Sequence, residues 1–213
     1  VLSQDEKDLG VCVLDIGGGT TDIAVYTNGS IQYVDAIPVA GDHVTNDIAM
    51  ALRTPPNAAE DVKIRHGVAS KECVEKNQII EVATLSAAPP QKVMHTDLLE
   101  VVEARYHEIF ALAANVLHRQ GLDTTIPGGV VLTGGASLVP GVKVLAEQVL
   151  GQTARVAVPS YQGLPDALCS PSYATAVGLI LQGCHGHDTL SSVSSSNIGK
   201  FWQKFKIWLE YHL

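Results

Sequence analysis

The sequence predicts an α/β protein, because short apolar runs that stop at glycine alternate with longer segments that carry helix caps. Val11–Ile16 and Val130–Thr133 are the clearest strands, and each is followed directly by consecutive glycines. The clearest helix covers residues 98–120 and ends at Gly121. With 213 residues, of which 46% are hydrophobic and 17% charged, the chain is typical of globular proteins and allows one large domain or two small ones.

The N-terminal part predicts a three-stranded meander followed by a helix. Residues 23–26 are predicted to form the second strand, and Asn28-Gly29 is a strong hairpin signal because both positions favour positive φ. Residues 30–37 then pair back as the third strand. Asp42 is a good N-cap residue, so we expect a helix that runs from there to about Leu52.

The middle of the chain predicts a short helix, a mixed segment and then the long helix. Asn57 and Glu60 have capping-box spacing and Gly67 is a good C-terminal stop, so residues 58–66 are expected to be helical. Residues 78–82 are predicted to be a strand, and a proline pair separates them from the long helix.

The C-terminal part predicts a helix between Pro140 and Gly151, a strand over residues 155–158 and a helix over about 170–181. Residues 184–197 are predicted to be a flexible linker, because this segment is rich in serine and has no periodicity.

Charge and hydropathy exclude several classes of function. The formal net charge is −8, which argues against a general nucleic-acid binder because phosphate neutralisation needs clustered Lys and Arg. No apolar run approaches the roughly 20 residues that span a bilayer. The N-terminus has neither a signal peptide nor a start Met, so we expect no secretion signal and interpret the chain as a fragment or truncated form.

The cysteines favour a reducing, cytosolic compartment. The four of them are scattered, with no C-x-x-C pair, so a disulfide framework is not expected. Residues 184–187, Cys-His-Gly-His, look faintly like a metal cluster, but no second ligand group lies at a recognisable spacing, so a flexible segment is the preferred interpretation. The other histidines form no catalytic pattern, and no catalytic nucleophile can be named.

The two glycine turns are the main functional signal. Glycines after a strand let the backbone approach a ligand and present N–H groups to an anion. Asp15 lies at the end of the first strand, where it can hold a metal through water, and the hydroxyls of Thr20 and Thr21 can donate to phosphate oxygens. Neither turn has Walker A or Rossmann spacing. The alternative is that both turns are only tight corners. That interpretation suits an isolated glycine pair, but it suits the longer pattern strand–Asp–x–Gly-Gly-Gly-Thr–x–Asp much less well.

On these residues the chain resembles the actin and heat-shock-chaperone ATPase superfamily. Residues 14–25 look like its second phosphate loop, and residues 130–137 resemble its adenosine loop. Residues 59–63 resemble the superfamily helix whose Glu and Lys reach the ribose and adenine, which implies that role for Glu60 and Lys63. For Glu60 the local alternative is completion of the cap at Asn57.

The resemblance narrows to the bacterial cell-division family FtsA, and with the terminal segment it covers nearly the whole chain. It is carried by residues 10–25, Gly41-Asp42-x-x-Thr45-x-Asp47 and the segments 54–56, 59–67 and 172–183. This family has two actin-like halves with ATP between them, and the chain matches the C-terminal half only. The resemblance therefore implies the C-terminal half of an actin-like, ribonuclease-H-like ATPase fold with an inserted α+β subdomain and a C-terminal amphipathic helix.

The resemblance also implies a domain plan and a binding site. The nucleotide-binding subdomain is expected at residues 1–66 and 125–183, the inserted subdomain at 67–124, the linker at 184–197 and the amphipathic helix at 198–213. The expected cofactors are ATP and Mg²⁺, with Asp15 at the metal. The predicted nucleotide-binding residues are Asp15, Gly17, Gly18, Gly19, Thr20, Thr21, Glu60, Lys63, Gly134, Gly135 and Ala136.

The resemblance also implies a function. FtsA proteins bind ATP with at most weak turnover, assemble into filaments, bind FtsZ and act with other divisome proteins. They tie the FtsZ ring to the cytoplasmic face of the inner membrane at the division septum. The resemblance places the FtsZ-binding surface in the inserted subdomain, and this half-chain alone is expected to be inactive as an ATPase.

The last 16 residues differ from the rest of the chain. Residues 1–197 carry 11 basic and 21 acidic side chains (net −10), whereas residues 198–213 carry three Lys and one Glu (net +2) and both tryptophans. On a helix seven apolar side chains share one arc of about 140°, with His212 inside this arc and Ile207 and Tyr211 outside it. This pattern is typical of a helix lying in an anionic membrane surface. The alternative is a helix docked on its own domain. The predicted membrane-binding residues are Ile198, Phe201, Trp202, Phe205, Trp208 and Leu209, with Lys200, Lys204 and Lys206.

Two other classes of function stay open. One is an ATP-consuming enzyme, such as a sugar kinase or a chaperone ATPase, which would need a catalytic acid or a substrate domain and would not need the terminal helix. The other is an actin-like scaffold of pilus assembly. The terminal helix and residues 58–67 favour the cell-division function.

Overall fold

The computed structural model describes residues 1–74, 78–85 and 89–187. Its strands are β1 (Val11–Ile16), β2 (Thr21–Thr27), β3 (Ser30–Ile37), β4 (Ile79–Val82), β5 (Gln91–Met94), β6 (Val130–Thr133) and β7 (Ala154–Val156). Its α-helices are α1 (Gln4–Leu9), α2 (Gly41–Ala51), α3 (Pro56–His66), α4 (His95–Arg119), α5 (Val142–Leu150) and α6 (Ala174–His187).

The main sheet has five strands in the order β3-β2-β1-β6-β7. The three N-terminal strands form the predicted antiparallel meander, while β6 pairs parallel with both β1 and β7. In the β1–β6 pair, Asp15 lies opposite Thr133. Because parallel neighbours end at the same edge of a sheet, the two glycine turns that follow β1 and β6 leave the sheet side by side.

The Asn28-Gly29 hairpin is confirmed. Both residues have positive φ, 52° and 75°, and Thr27 pairs with Ser30 across the turn. A Cβ on Gly29 would lie 2.8 Å from a carboxylate oxygen of Asp8 on α1. Helix α1 was not predicted; it has six residues, none of them buried, so it lacks the apolar periodicity on which sequence prediction depends.

The core lies on one face of the main sheet. Cys12, Leu14 and Ile16 alternate along β1 and point into it, as the two-residue period of a strand requires. Helices α2, α4 and α5 cover this face, with α4 supplying Leu98, Val102, Tyr106, Ile109, Phe110 and Ala113. Each of these six side chains is fully buried. The long helix therefore fixes how the sheet is covered beneath the glycine turns.

A separate two-stranded sheet, β4–β5, precedes α4 and lies within the predicted inserted subdomain. Strand β4 was predicted and β5 was not. The first turn of α4 is held from α3, because the buried His95 ring donates from Nε2 to the His66 carbonyl at 2.7 Å. The domain boundaries themselves stay a prediction.

The predicted starts of α2 and α3 differ from the structure. Helix α2 begins at Gly41 with Ala40 as N-cap, so Asp42 lies inside the first turn. Helix α3 begins at Pro56 with Pro55 as N-cap and no side-chain cap, so the Asn57–Glu60 capping box does not form. Proline at the first position already suits a helix start and lacks the N–H that a cap would satisfy.

The C-terminal helix is longer than predicted. A short 3-10 turn over Pro171–Tyr173 leads into α6, which continues to His187, so the first four residues of the predicted linker are helical. The rest of that linker and the predicted amphipathic helix at 198–213 lie outside the described residues. Within the described part of the chain, none of the helices combines the length and hydropathy needed to cross a bilayer.

Candidate functional site

A cavity of about 530 Å³ opens at the edge of the sheet where the two glycine turns meet. Its volume lies in the range of small-molecule sites. Its walls are the turn after β1, the first turn of α2, one face of α3 and the loop after β6. The lining residues are Gly17, Gly18, Gly41, Asp42, Glu60, Lys63, Ile64, Gly135, Ala136, Leu138, Val139, Pro140 and Ser172.

The first glycine turn is fixed by helix α2. The amide of Gly17 donates to the Thr20 carbonyl at 3.0 Å and closes the turn. The carbonyls of Gly17 and Gly18 accept from the amides of Gly41 and Asp42 at 3.0 and 2.8 Å. These two N–H groups of α2 therefore hold the turn in place.

The second glycine turn packs directly on the end of β1. Gly134 has φ +84°, and a Cβ there would lie 2.4 Å from both an Asp15 carboxylate oxygen and the Ile16 carbonyl. Only glycine fits this position. Gly135 is exposed at the cavity, where the nearest neighbour of a Cβ would be the Ser172 hydroxyl at 3.3 Å. Gly134 thus serves the packing of the two turns, and Gly135 leaves open space beside the cavity.

A polar cluster of Thr45, Glu60 and Lys63 forms the wall opposite the glycine turns. The Lys63 ammonium donates to the Gly41 carbonyl at 3.1 Å and to the Thr45 hydroxyl at 2.8 Å, and lies 2.7 Å from the Glu60 carboxylate. The Thr45 hydroxyl also lies within hydrogen-bonding distance of Glu60. Lys63 is only 8% exposed, so these three partners compensate for the burial of its charge.

The same partners keep Glu60 ionised. Burial is the largest influence on this carboxyl and acts to raise its pKa, but hydrogen bonds from Lys63 and Thr45, together with the Lys63 charge, hold the pKa below its ordinary value. The Glu60 side chain is 42% exposed and lines the cavity. It therefore presents a carboxylate that can still accept hydrogen bonds from a ligand.

The structure brings together six of the eleven predicted nucleotide-binding residues as cavity lining. These six are Gly17, Gly18, Glu60, Lys63, Gly135 and Ala136. Asp15, Gly19, Thr20 and Gly134 are in the turns beside the cavity and not among its lining residues. The Thr21 hydroxyl is directed elsewhere: it is fully buried and donates to the Val39 carbonyl at 2.8 Å. In this structure the Thr21 hydroxyl therefore stabilises the start of β2, and its donation to phosphate stays a prediction.

Asp15, the predicted metal residue, is half-buried at the end of β1, and its carboxylate accepts from the Thr175 hydroxyl at the start of α6. Among the described residues, no three His, Cys, Asp or Glu side chains gather into a metal cage. Mg²⁺ commonly takes one or two carboxylates and completes its shell with water and phosphate oxygens. The donor set therefore fits Mg²⁺ only when a phosphate supplies further oxygens.

Several lining residues were not assigned from the sequence. Ile64 and Leu138 form an apolar part of the wall, and they are 70% and 55% exposed. Ile64 follows Glu60 by four residues, so the helical period could have placed it on the same face of α3. Thr45 also carried a signal, as a hydroxyl between the buried Val44 and Ile48 of α2. Ser172 is brought in from the far end of the chain and carried none.

A second, shallower cavity of about 350 Å³ lies on the outer surface between α2 and α4. We call it the α2–α4 groove; its lining residues are Asp47, Met50, Ala51, Val101, Ala104, Arg105 and Glu108. The Arg105 guanidinium bridges the two helices by a bidentate pair with Asp47, at 2.6 and 2.9 Å, and also contacts Glu108. Met50 is 80% exposed at the rim.

The sequence of this chain is similar to one family of known proteins. The family described as "Cell division protein FtsA" matches residues 12–178. FtsA of Pseudomonas aeruginosa is 47% identical over 92% of this chain and 47% of the relative. The Escherichia coli K12 protein is 39% identical over 98% of this chain and 53% of the relative. The chain thus spans about half the length of these curated relatives.

Solved structures show the same fold at lower identity. MreB5 of Spiroplasma citri bound to ADP aligns with a TM-score of 0.64 and 24% identity, over 81% of this chain and 54% of that one. The PilM–PilN type IV pilus biogenesis complex aligns with a TM-score of 0.63 and 20% identity, over 84% of this chain and 47% of that one. The expected actin-like α/β fold is therefore confirmed, and the chain belongs to the FtsA family of cell division proteins.

Proposed function

We propose that this chain forms one side of an ATP-binding cleft in an actin-like cell-division protein. The observation that carries the proposal is that two glycine turns, about 115 residues apart in sequence, meet at one cavity with Glu60 and Lys63 on the opposite wall. The turn after β1 would bind phosphates through its backbone amides. Ile64 and Leu138 would contact the adenine, and the Glu60 carboxylate would accept from ribose hydroxyls.

Mg²⁺ would bind near Asp15, with the phosphates supplying the remaining ligands, and would neutralise their charge. Asp15 is already oriented by the Thr175 hydroxyl, so it can hold a water of the metal without moving. Ser172 is the only hydroxyl-bearing side chain among the residues that line the described cavity, and no His or Cys accompanies it there. We propose nucleotide binding with at most weak hydrolysis, as the family resemblance implies, and none by this half-chain alone.

The wider proposal is that the protein tethers the FtsZ ring to the cytoplasmic face of the inner membrane at the division septum. Residues 198–213 would supply the membrane contact, with Trp202 and Phe205 on the apolar face and three lysines toward anionic lipid. Self-association into filaments would multiply this weak contact, because later attachments become effectively intramolecular. Other divisome proteins would be recruited to the same assembly.

The α2–α4 groove is our candidate for the FtsZ contact. It lies between α2 and the long helix of the predicted inserted subdomain. The groove combines an exposed thioether, Met50, with the Asp47–Arg105–Glu108 charge cluster. A short peptide could place an apolar side chain beside Met50 and use the charged rim for orientation. The family resemblance supports this position, because it places the FtsZ-binding surface in the inserted subdomain. The exposed thioether and charged rim of the groove support it chemically.

Substitution at the second glycine turn tests nucleotide binding. Gly135→Val places a branched side chain beside the cavity, where its Cβ meets only the Ser172 hydroxyl, at 3.3 Å. We expect ATP affinity, measured by calorimetry with Mg²⁺, to fall at least tenfold while the circular dichroism spectrum is unchanged. Gly178→Val is the matched control, because a Cβ at that position on α6 has nothing within 4 Å. Equal ATP affinity in Gly135→Val and the control would contradict the proposal.

A further inference from the structure

One buried hydroxyl connects the cavity to the long helix. Tyr106 of α4 is fully buried, and its phenolic O–H donates to the Ala136 carbonyl at 2.6 Å. Ala136 is in the second glycine turn and lines the cavity. Most of the tyrosine ring packs in the apolar core, near Phe110 with 6.3 Å between ring centroids. A buried tyrosine normally finds a partner for its hydroxyl, and here that partner is the wall of the candidate nucleotide site.

The residue before Tyr106 faces the other way. Arg105 lines the α2–α4 groove and forms the bidentate pair with Asp47. Helix α2 has the same two-sided arrangement: Thr45 belongs to the polar cluster at the cavity, whereas Asp47, two residues on, lies in the groove. Both helices that form the groove are therefore hydrogen-bonded to the cavity. Helix α4 reaches Ala136 through Tyr106, next to Arg105, and α2 reaches Lys63 through Thr45, two residues before Asp47.

We propose that Tyr106 is a positioning residue that couples occupancy of the nucleotide cavity to the shape of the α2–α4 groove. A ligand that settles on the second glycine turn shifts or stiffens the Ala136 carbonyl, and the Tyr106 hydroxyl passes this restraint to α4. Because α4 is held to α2 by Arg105 and Asp47, the restraint reaches the groove. This inference rests on the nucleotide binding proposed above.

The coupling is physically reasonable because one hydrogen bond, from Tyr106 to Ala136, joins the cavity to a rigid helix. Tyr106 lies in the central turns of a 25-residue helix, so a restraint at its hydroxyl acts on the helix as a body. The bond is shielded from water, where a hydrogen bond is electrostatically stronger than at the surface. Coupling between sites is reciprocal, so a ligand in the groove must change nucleotide affinity by the same factor as the nucleotide changes the affinity of the groove.

Hydrogen exchange of the full chain, with and without ATP and Mg²⁺, tests the inference. Peptides covering residues 130–139 report on the cavity, and peptides covering residues 98–112 report on α4. In the wild type we expect ATP to slow exchange in both segments, by about fivefold or more in α4, the lower end of typical coupling. In Tyr106→Phe, which removes only the hydroxyl, we expect slowing in residues 130–139 and none in α4.

Two further variants separate coupling from loss of stability. Phe110→Leu is the matched control, since it weakens core packing on the same helix and leaves the Tyr106 hydroxyl in place; it should keep the ATP effect on α4. Asp47→Asn opens the groove pair at a half-exposed site, so it does not depend on the tolerance of the core. In that variant we expect ATP to slow exchange in α4 as before, while its effect on residues 47–51, the part of α2 that lines the groove, is reduced.

The hydrogen-exchange results distinguish a failure of the coupling through Tyr106 from a failure of the proposed nucleotide binding. Slowing of residues 130–139 without any effect on α4 in the wild type would overturn the coupling and leave nucleotide binding intact. An equal effect on α4 in Tyr106→Phe and the wild type would show that another route carries it, which also overturns the role of Tyr106. No slowing in either segment would refute nucleotide binding by this chain and the coupling with it.

Discussion

Glu60 shows how one side chain connects parts of the cavity that are distant in sequence. It lies on α3, contacts Lys63 one turn later, and reaches Thr45 on α2, fifteen residues earlier in the chain. The Asn57–Glu60 spacing suggested a purely local role as a helix cap, and the structure uses the carboxylate for a contact between helices instead. Because the contact is polar, its contribution depends on the ionisation of Glu60.

Glu60→Gln should therefore destabilise the protein in a pH-dependent manner. The folded-state pKa of Glu60 is lowered from its ordinary value of 4.5. A carboxyl with a lowered pKa contributes stability above its unfolded-state pKa, and this contribution is lost as pH falls through the folded-state pKa. We expect the difference in unfolding free energy between wild type and Glu60→Gln, measured in urea, to be constant from pH 5 to 7 and to shrink below pH 4.5.

Asp61→Asn is the control, because Asp61 is an exposed carboxylate on the same helix. Its unfolding free energy should track that of the wild type across this range. If Glu60→Gln also tracked the wild type at every pH, the polar cluster would contribute nothing measurable, and its assignment as a preorganised wall of the cavity would fail.

At the scale of elements, the two glycines of the second turn have different tasks, and paired substitutions should separate them. In Gly134→Ala the new Cβ would lie 2.4 Å from two oxygens at φ +84°, so we expect a loss of roughly 2–4 kcal/mol in unfolding free energy. In Gly135→Ala the new Cβ would meet the rotatable Ser172 hydroxyl at 3.3 Å, which can shift by a few tenths of an ångström, so the change should stay within about 0.5 kcal/mol. Urea denaturation at constant m-value measures both; equal losses would contradict the packing of the turn on β1.

How far the sequence predicts these elements depends on whether the signal is local. Strand β1, the Asn28-Gly29 turn and the two glycine turns were predicted because apolar alternation and positive-φ residues act within a few positions. That both turns face one cavity follows only when β1 and β6 are recognised as parallel neighbours, which the family resemblance supplied. The Tyr106–Ala136 and Thr45–Lys63 contacts join residues 30 and 18 positions apart, and no local pattern encodes such pairings.

At the scale of the whole molecule, we propose that the chain provides one wall of a nucleotide-binding cleft. The cavity is open at the edge of the sheet, and the curated relatives are about twice as long as the segment matched here. A nucleotide bound to this wall alone would make only part of the contacts available in a complete cleft. If the proposed nucleotide site is correct, we expect weaker ATP binding by this chain than by a full-length member of the family.

The proposed membrane tethering also concerns the whole molecule, because the proposal assigns the membrane contact to residues 198–213 and nucleotide binding to the rest of the chain. Trp202→Glu with Phe205→Glu removes two aromatic side chains from the predicted apolar face and cancels two of the three lysine charges. Each aromatic contributes roughly 1.5–3 kcal/mol at full burial and less at an interface, and each lysine about 1 kcal/mol near anionic lipid. We therefore expect vesicle binding to fall at least about 100-fold, since every 1.4 kcal/mol is a factor of ten.

Flotation with anionic vesicles and purified FtsZ measures tethering and partner binding together. The wild-type chain should float and carry FtsZ with it, whereas the double variant should leave both in the lower fractions. Met50→Asp, an exposed substitution in the α2–α4 groove, should float normally without FtsZ. Leu9→Asp, at another exposed apolar position on α1, should carry FtsZ as the wild type does. Flotation of the double variant at the wild-type level would refute the membrane helix. Recruitment of FtsZ by Met50→Asp would refute the groove as its binding site, because the variant replaces the thioether against which an apolar side chain of the partner is proposed to pack with a charged group that is costly to bury.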